Sequence, residues 1–180
     1  MRSKTTQYLT LSALLCALLC VLSQIQIPLP PVPVSFSLLA VHLCGALLGW
    51  RWGTAAVGCY VFLGAVGVPV YAGFAGGVSV LFGPSGGFLF GYILCALVVG
   101  MMVEHLGFAR RTLLFSMAAG TLLCYIMGAA WFSLTTGSAL WGCLTVCVLP
   151  FIPGDVIKIA LAAALCLRLQ KPLRSAGLCV

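Results

Sequence analysis

Six long apolar runs, separated by short breaks rich in Pro, Gly or basic residues, dominate the sequence. A helix needs about 20 apolar residues to cross roughly 30 Å of hydrocarbon, whereas the strands of a membrane β-barrel alternate in hydrophobicity over about ten residues. The runs therefore predict membrane-spanning helices. Their approximate bounds are 6–24, 36–50, 53–69, 84–104, 111–133 and 153–170.

The composition excludes a water-soluble domain. Hydrophobic residues make up 63% of the chain and charged residues 6%, whereas about 25% of a soluble domain is charged. No small-x-small cleavage pattern precedes Gln24, so we expect the first run to remain as a helix. We expect an all-α integral membrane protein in the lipid bilayer, with a single membrane domain over residues 1–180. Its predicted architecture is a bundle of six transmembrane helices, with five or seven as alternative counts.

The placement of the charges predicts the orientation. Every Lys and Arg except Lys158 lies before the first run, between the second and third, at the junction of the fourth and fifth, or at the end of the sixth and beyond. In a six-helix bundle these places share one side, which the positive-inside rule makes cytoplasmic together with both termini. Topology thus accounts for the net charge of +7, and we expect no nucleic-acid partner. The residues are Arg2, Lys4, Arg51, Arg110, Arg111, Arg168, Lys171 and Arg174.

Asp155 and Lys158 are not explained by topology. They follow Pro153 and Gly154 at the start of the sixth run, after a loop without charged residues. A charge at the bilayer centre costs about 2.5–3.5 kcal/mol on insertion scales, so an intramembrane pair usually lines a cavity. The pair predicts a site for an uncharged polar ligand, such as a ureido or amide group, or for a weakly anionic one. The alternative is structural, with Asp155 as a helix cap and Lys158 as its neutralising partner.

The glycine-rich segment YAGFAGGVSVLFGPSGG, residues 71–87, supports two further interpretations. Its glycines allow sharp turns and close backbone approach to a ligand, or only the packing of a re-entrant turn. It also contains a formal G-x-S-x-G around Ser85, a pattern that can present a nucleophilic serine. An intramembrane serine hydrolase that uses Ser85 is therefore an alternative function.

A serine hydrolase would need a base beside Ser85, and the sequence has two histidines. His105 lies in the same predicted helix as Ser85, about 30 Å away at a rise of 1.5 Å per residue. His42 has no evident carboxylate to orient it apart from Asp155. We therefore expect no catalytic residue and interpret Ser85 as a helix cap and cavity neighbour, with Pro84 at the helix start.

The segment GGVSVLFGPSGGFLFGY, preceded by GVPVYAG and followed by LPFIPGDVIK, resembles the BioY family, the biotin-binding S components of energy-coupling-factor (ECF) vitamin transporters. The resemblance extends from the proline-rich IPLPPVPV through LLGWRWG to LPFIPGDVIK. It implies a six-helix transporter subunit of the cell membrane that captures biotin from outside, and not an enzyme. The alternative within this class is an S component for another small vitamin.

The resemblance also implies a set of substrate-binding residues. Asp155 and Lys158 match the family's D-x-x-K motif. By their chemistry, Asp155 would accept a ureido N–H of biotin, and Lys158 would donate to the ureido carbonyl or to the valerate carboxylate. The loop that closes over the ligand contributes Gly76, Gly77 and Ser79, while Tyr71, Phe74, Ser85 and Phe88 are further neighbours.

Ala13 and Ala17 predict a surface for another protein. With Ser12 and Cys16 they form a small-xxx-small face on the first helix, which allows close helix approach. In the family such an alanine pair docks a membrane coupling subunit with two partner ATPases, whereas the alternative is packing inside the same bundle. The chain has no Walker sequence, so energy would come from these partners.

Cysteines are numerous but do not predict a metal site or a cofactor. The sequence has 10 cysteines, most of them scattered through the apolar runs, and no C-x-x-C pair. Small, polarizable side chains of this kind serve as ordinary apolar packing. Cys143 and Cys147 have helical spacing, but a metal would require further convergent ligands. Biotin is expected as the transported ligand, and no cofactor or metal is expected in this chain.

Overall fold

The computed structural model describes residues 4–27, 34–138, 142 and 151–175. Arg2, the prolines within 28–33, Cys143 and Cys147 lie outside the described residues. Helices account for most of the described chain. One short antiparallel pair of strands lies between the first helix and the second. The elements are α1 (Lys4–Gln24), β1 (Gln26–Ile27), β2 (Val34–Ser35), α2 (Ser37–Ala65), α3 (Val78–Leu81), α4 (Gly86–Leu106), α5 (Arg110–Thr136) and α6 (Ile152–Ser175).

The α2 segment consists of two helical halves that meet at Gly49. This glycine has φ 74° and ψ −177°, a conformation that side chains disfavour. A Cβ atom on Gly53 would lie 2.5 Å from the carbonyl oxygen of Cys44, so the two halves pack side by side and the chain reverses between them. Glu104 of α4 stabilises the reversal, because its Oε1 accepts the backbone N–H of Trp50 at 3.0 Å. The apolar runs 36–50 and 53–69 correspond to these two halves.

The helices pack around α2 and α4. Helix α2 packs against α1, α4 and α6, while α5 packs against α4 and, less extensively, α6. Small residues allow the close approach of α4 and α5, since a Cβ on Gly91 would lie 2.9 Å from the Sγ of Cys124. The core between them contains Val99 and Met117, which are fully buried.

The outer surface of the bundle matches lipid and not water. Large apolar side chains point outward from several helices, including Phe62 at 66% exposure and Leu134 at 83%. Three helices of the described residues, α1, α4 and α5, are long and apolar enough to cross a membrane. Together these features describe a multi-pass membrane protein, and the prediction of a helical membrane fold is confirmed. The count of six spans and the cytoplasmic side of the termini stay predictions.

One end of the bundle collects the chain segments that form the site. Phe36 donates its backbone N–H to Ile25, which joins the end of α1 to the start of α2. Gly77 likewise donates to Gly64 at 2.7 Å, which brings the segment 66–85 back over the second half of α2. We call this end, formed by residues 25–27, 34–36 and 66–85, the loop end. The reversal at Gly49 lies at the opposite end.

Candidate ligand-binding site

A buried ion pair lies at the start of α6. Asp155 is in the first turn of the helix, and Lys158 follows three residues later on the same face. Lys158 Nζ is 2.7 Å from Asp155 Oδ1, and the two residues are 5% and 3% exposed. Removing two charges from solvent is costly unless hydrogen bonds satisfy them, so the other contacts of the pair are informative.

Two aromatic residues, Tyr125 of α5 and Phe36 just before α2, complete the environment of the pair. The hydroxyl of Tyr125, on α5, donates a hydrogen bond to Asp155 Oδ2. Lys158 Nζ lies 5.8 Å from the centre of the Phe36 ring, within the range of a cation–π interaction. Tyr125 and Lys158 thus contact different oxygens of one carboxylate. Asp155 lies inside the first turn of α6, with its backbone N–H donating to Phe151 O at 2.8 Å, and not at the cap position of the structural alternative. Lys158 does contact it as the neutralising partner that the alternative also predicted.

Two cavities with shared lining residues lie near the pair. The smaller, about 40 Å³, is bordered by Tyr125, Asp155 and Lys158. It shares Ser35, Phe88 and Tyr92 with a larger cavity of about 190 Å³ beneath the loop end. The other residues around the larger cavity are Ser37, Tyr60, Tyr71, Ala72, Ala75, Val80, Ser85 and Leu89.

The walls of the larger cavity are aromatic and aliphatic, with a few hydroxyl groups. Tyr60 and Tyr71 meet edge to face, with ring centres 5.7 Å apart. Ser35 and Ser37 share a hydrogen bond of 2.7 Å between their hydroxyls. Apolar walls with few polar groups are typical of small-molecule sites. The buried ion pair at one side would then determine how a polar group is oriented.

A turn between Tyr71 and Ala75 covers the larger cavity. The two residues form an antiparallel bridge, with Tyr71 N–H donating to Ala75 O at 3.0 Å. The Tyr71 hydroxyl donates to Val61 O at 2.7 Å, and burial raises the pKa of this phenol. The hydroxyl therefore stays protonated at neutral pH and anchors the turn on α2.

The end of α1 also holds this turn. Ser23 donates its hydroxyl to Val70 O. Gln24 contacts the turn twice, since its Oε1 accepts the Phe74 N–H at 2.8 Å and its Nε2 donates to Pro69 O at 3.4 Å. The cover over the cavity is therefore attached to both α1 and α2.

The predicted loop residues have different positions. Ser85 lies at the cavity and immediately before α4, but its hydroxyl makes no capping hydrogen bond, and the helix begins at Gly86 and not at Pro84. Phe74 is at the tip of the turn, with φ 57° and 73% exposure, so its ring points away from the cavity. Ser79 is exposed on α3.

Gly76 and Gly77 support the loop and do not border either cavity. A Cβ on Gly76 would lie 2.6 Å from Val68 O, which leaves no room for a side chain. Gly77 has φ 99° immediately before α3, a conformation that favours glycine. Among the predicted binding residues, the structure therefore brings Asp155 and Lys158 together at the smaller cavity. It brings Tyr71, Ser85 and Phe88 to the adjoining larger cavity.

The contacts of His42 do not favour a hydrolase. This histidine is fully buried, with Nε2 3.2 Å from Thr121 Oγ1 and Nδ1 3.6 Å from Cys95 Sγ. Both ring nitrogens thus have partners in the core of α4 and α5. His42 is thus a packed, hydrogen-bonded histidine and is not positioned to activate Ser85.

Tyrosines of the site were not predicted from the sequence. Tyr125, Tyr60 and Tyr92 border the cavities but lie within apolar runs. A phenol hydroxyl in a membrane helix requires a hydrogen-bond partner, and this requirement is the signal that would have identified them. Ser35 and Ser37, next to the proline-rich segment, were also missed.

A second, larger groove lies outside the site. It has a volume of about 710 Å³ between α1 and the second half of α2. Ala13 and Ala17 border it, together with Cys16 and Cys59. The small-residue face of α1 is therefore open to the surface and does not face α2 alone.

Comparison with known proteins identifies relatives over most of the chain. The model of the BioY family matches residues 1–175. The biotin transporter BioY of Thermotoga maritima is 42% identical over 156 residues, which cover 86% of this chain and 90% of the relative. The probable biotin transporter BioY of Pyrococcus horikoshii is 35% identical over 161 residues, with 89% and 94% covered.

Solved structures share the same fold. The S-component for biotin from an ECF-type ABC transporter superposes with a TM-score of 0.86 at 29% identity, covering 95% of this chain and 94% of that one. FolT bound with folic acid gives a TM-score of 0.61 at 19% identity, with 91% and 92% covered, a likeness of fold alone. With the family match over residues 1–175, these similarities show that the chain belongs to the BioY family.

Proposed function

We propose that this chain is the biotin-binding S component of an ECF transporter in the cell membrane, and not an enzyme. The observation that carries the proposal is the buried Asp155–Lys158 pair beside a mainly apolar cavity. Intramembrane charges are costly and usually functional. The relatives named as biotin transporters, and the solved S-component for biotin, support biotin as the ligand.

Biotin has the chemistry that these walls would recognise. Its ureido ring presents N–H donors and a carbonyl acceptor, whereas its thiophane ring and valerate chain are largely apolar. Asp155 accepts a ureido N–H, and Lys158 donates to the ureido carbonyl or to the carboxylate. The aromatic residues Tyr60, Phe88 and Tyr92 of the larger cavity bury the apolar part.

The direction of capture follows from the charges. Lys4 is at the start of α1 and Arg110 is at the start of α5. Arg51 lies beside the reversal at Gly49. The loop end lies at the opposite end of these helices and has no charged residue in its described segments. By the positive-inside rule, the loop end faces outward and both termini are cytoplasmic. Biotin therefore enters from outside, beneath the Tyr71–Ala75 turn.

The groove between α1 and α2 is the docking surface for the membrane coupling subunit. Its alanine pair, Ala13 and Ala17, allows a helix of the partner to approach closely. The associated ATPase pair supplies the energy for delivery inward.

The direct functional experiment is uptake of radiolabelled biotin into cells or vesicles, with and without candidate coupling and ATPase subunits. The proposal predicts saturable uptake of biotin that unlabelled biotin suppresses and that folate and other vitamins leave unchanged. Suppression by a different vitamin would favour the alternative, an S component for that vitamin. Labelling of Ser85 by a serine-reactive probe, together with hydrolysis of an ester substrate, would favour the hydrolase.

A further inference from the structure

Tyr125 contacts the binding carboxylate from a different helix. Its hydroxyl donates to Asp155 Oδ2, while Lys158 Nζ occupies Oδ1 at 2.7 Å. Tyr125 belongs to α5, whereas Asp155 and Lys158 belong to α6. The three groups surround one side of the smaller cavity. The carboxylate is therefore held at both of its oxygens.

The two contacts together fix the plane of the carboxylate. The terminal torsion of an aspartate is broad, so a single partner on one oxygen leaves the group free to rotate. A second donor on the other oxygen removes this freedom. An ionised carboxylate offers about four lone-pair sites, so two hydrogen bonds leave further sites open to N–H donors of a ligand in the cavity.

We propose that Tyr125 is a positioning residue that fixes the Asp155 carboxylate so that its free lone pairs meet the N–H groups of a cyclic urea. This inference rests on the proposed function. Through the carboxylate, Tyr125 would make the site prefer ligands that present N–H donors. A tyrosine that only satisfied its own hydroxyl would stabilise the bundle without any influence on that selection.

Ligand selectivity separates the two roles. Affinities of the purified protein are measured for biotin and for the two mono-N-methyl biotins, in which a methyl group replaces one ureido N–H. We expect the wild type to prefer biotin. In Tyr125→Phe the carboxylate can rotate and the ligand has to fix it, so biotin affinity falls by about tenfold and by no more than about a hundredfold, the limit set by the strength of a hydrogen bond to a charged group. The affinity for the disfavoured analogue changes by less than about threefold, so the preference shrinks.

A matched control is Tyr8→Phe. The Tyr8 ring stacks on Trp52 near the Gly49 reversal, with ring centres 6.0 Å apart. This substitution removes the same atom and leaves affinity and preference unchanged. Thermal unfolding of each variant checks that the bundle is intact. If Tyr125→Phe does not fold, Tyr125→Gln and Tyr125→Leu form a second pair of similar volume, of which only Gln can donate, and Gln is expected to bind biotin more tightly.

Several results would overturn the inference. One is an unchanged preference of Tyr125→Phe for biotin over the N-methyl analogues, which means an equal change of affinity for all three ligands. Another is equal biotin affinity in the Gln and Leu variants. Failure of the proposed function looks different, because the wild type itself would then not bind biotin. If the wild type binds biotin and Tyr125→Phe keeps the same preference, only the role of Tyr125 is refuted and the proposed function stands.

Discussion

Gln24, the last residue of α1, accepts the backbone N–H of Phe74 at 2.8 Å. This bond connects the helix that carries the alanine pair to the turn that covers the larger cavity. The same helix therefore contacts the groove proposed for the partner at its middle and the cover of the ligand cavity at its end. The groove and the cover therefore share one helix, α1.

Gln24→Ala is predicted to loosen the cover. The substitution removes the acceptor of the Phe74 N–H, and a typical hydrogen bond contributes about 0.5–1.5 kcal/mol. We expect biotin to dissociate about twofold to tenfold faster, and amide hydrogen exchange at residues 70–75 to accelerate. Gln7→Ala, on the same helix but distant from the turn, is the control. Equal dissociation rates in Gln24→Ala and the wild type would contradict the role of this bond in holding the cover.

Gly49→Ala is predicted to destabilise the bundle. At φ 74° and ψ −177° a residue with a side chain is strained by about 1–3 kcal/mol. Gly58→Ala is the matched control, because a Cβ there meets nothing within 4 Å and the residue is helical. Alanine at 58 should be neutral or slightly stabilising. Thermal unfolding in detergent compares the two variants. An equal loss of stability in Gly58→Ala and Gly49→Ala would argue against backbone strain at the reversal.

The Asp155–Lys158 pair is predicted to be coupled in stability. Removing one partner leaves an uncompensated buried charge and costs about 3–5 kcal/mol. The double variant Asp155→Asn, Lys158→Met should therefore lose less stability than the sum of the two single variants. Lys171→Met, at an exposed position of the same helix, serves as the control. Additive losses, measured by reversible unfolding, would mean that the two groups do not compensate each other.

How much the sequence could predict depended on the range of the interactions. The apolar runs are local signals, and their length predicted the helices because lipid leaves no other partner for backbone groups. The spacing of Asp155 and Lys158 is also local, since residues three apart share a helix face. Tyr125 contacts Asp155 from another helix. Because the two residues are far apart in the sequence, no local pattern predicts that they meet.

Backbone conformation explains the other differences. Phe74 follows Gly73, and both have positive φ. The turn therefore directs the Phe74 ring outward, although its aromatic character favoured a place in the cavity. Ser85 precedes a helix as predicted, but its backbone is near the helical region, with φ −84° and ψ −10°. An N-cap serine usually has an extended backbone when its side chain caps the helix.

Ala13→Leu with Ala17→Leu is predicted to separate binding from uptake. The larger side chains project into the groove of about 710 Å³ and prevent close approach of a partner helix. Biotin binding to the purified subunit should remain, whereas uptake with the coupling and ATPase subunits should be lost. Ala118→Leu, at an exposed position of α5, is the control. Full uptake in the double variant would place the docking surface elsewhere.

The dissociation constant of the purified protein for radiolabelled biotin tests the central claim most directly. It is measured for the wild type, Asp155→Asn, Lys158→Ala and the exposed control Lys171→Ala. Truncating one member of a buried charge pair costs about 2–5 kcal/mol, so we predict that the first two substitutions each weaken binding by about thirtyfold or more. The control should bind as the wild type does. Unchanged affinity in both Asp155→Asn and Lys158→Ala would contradict the assignment of this pair as the biotin site.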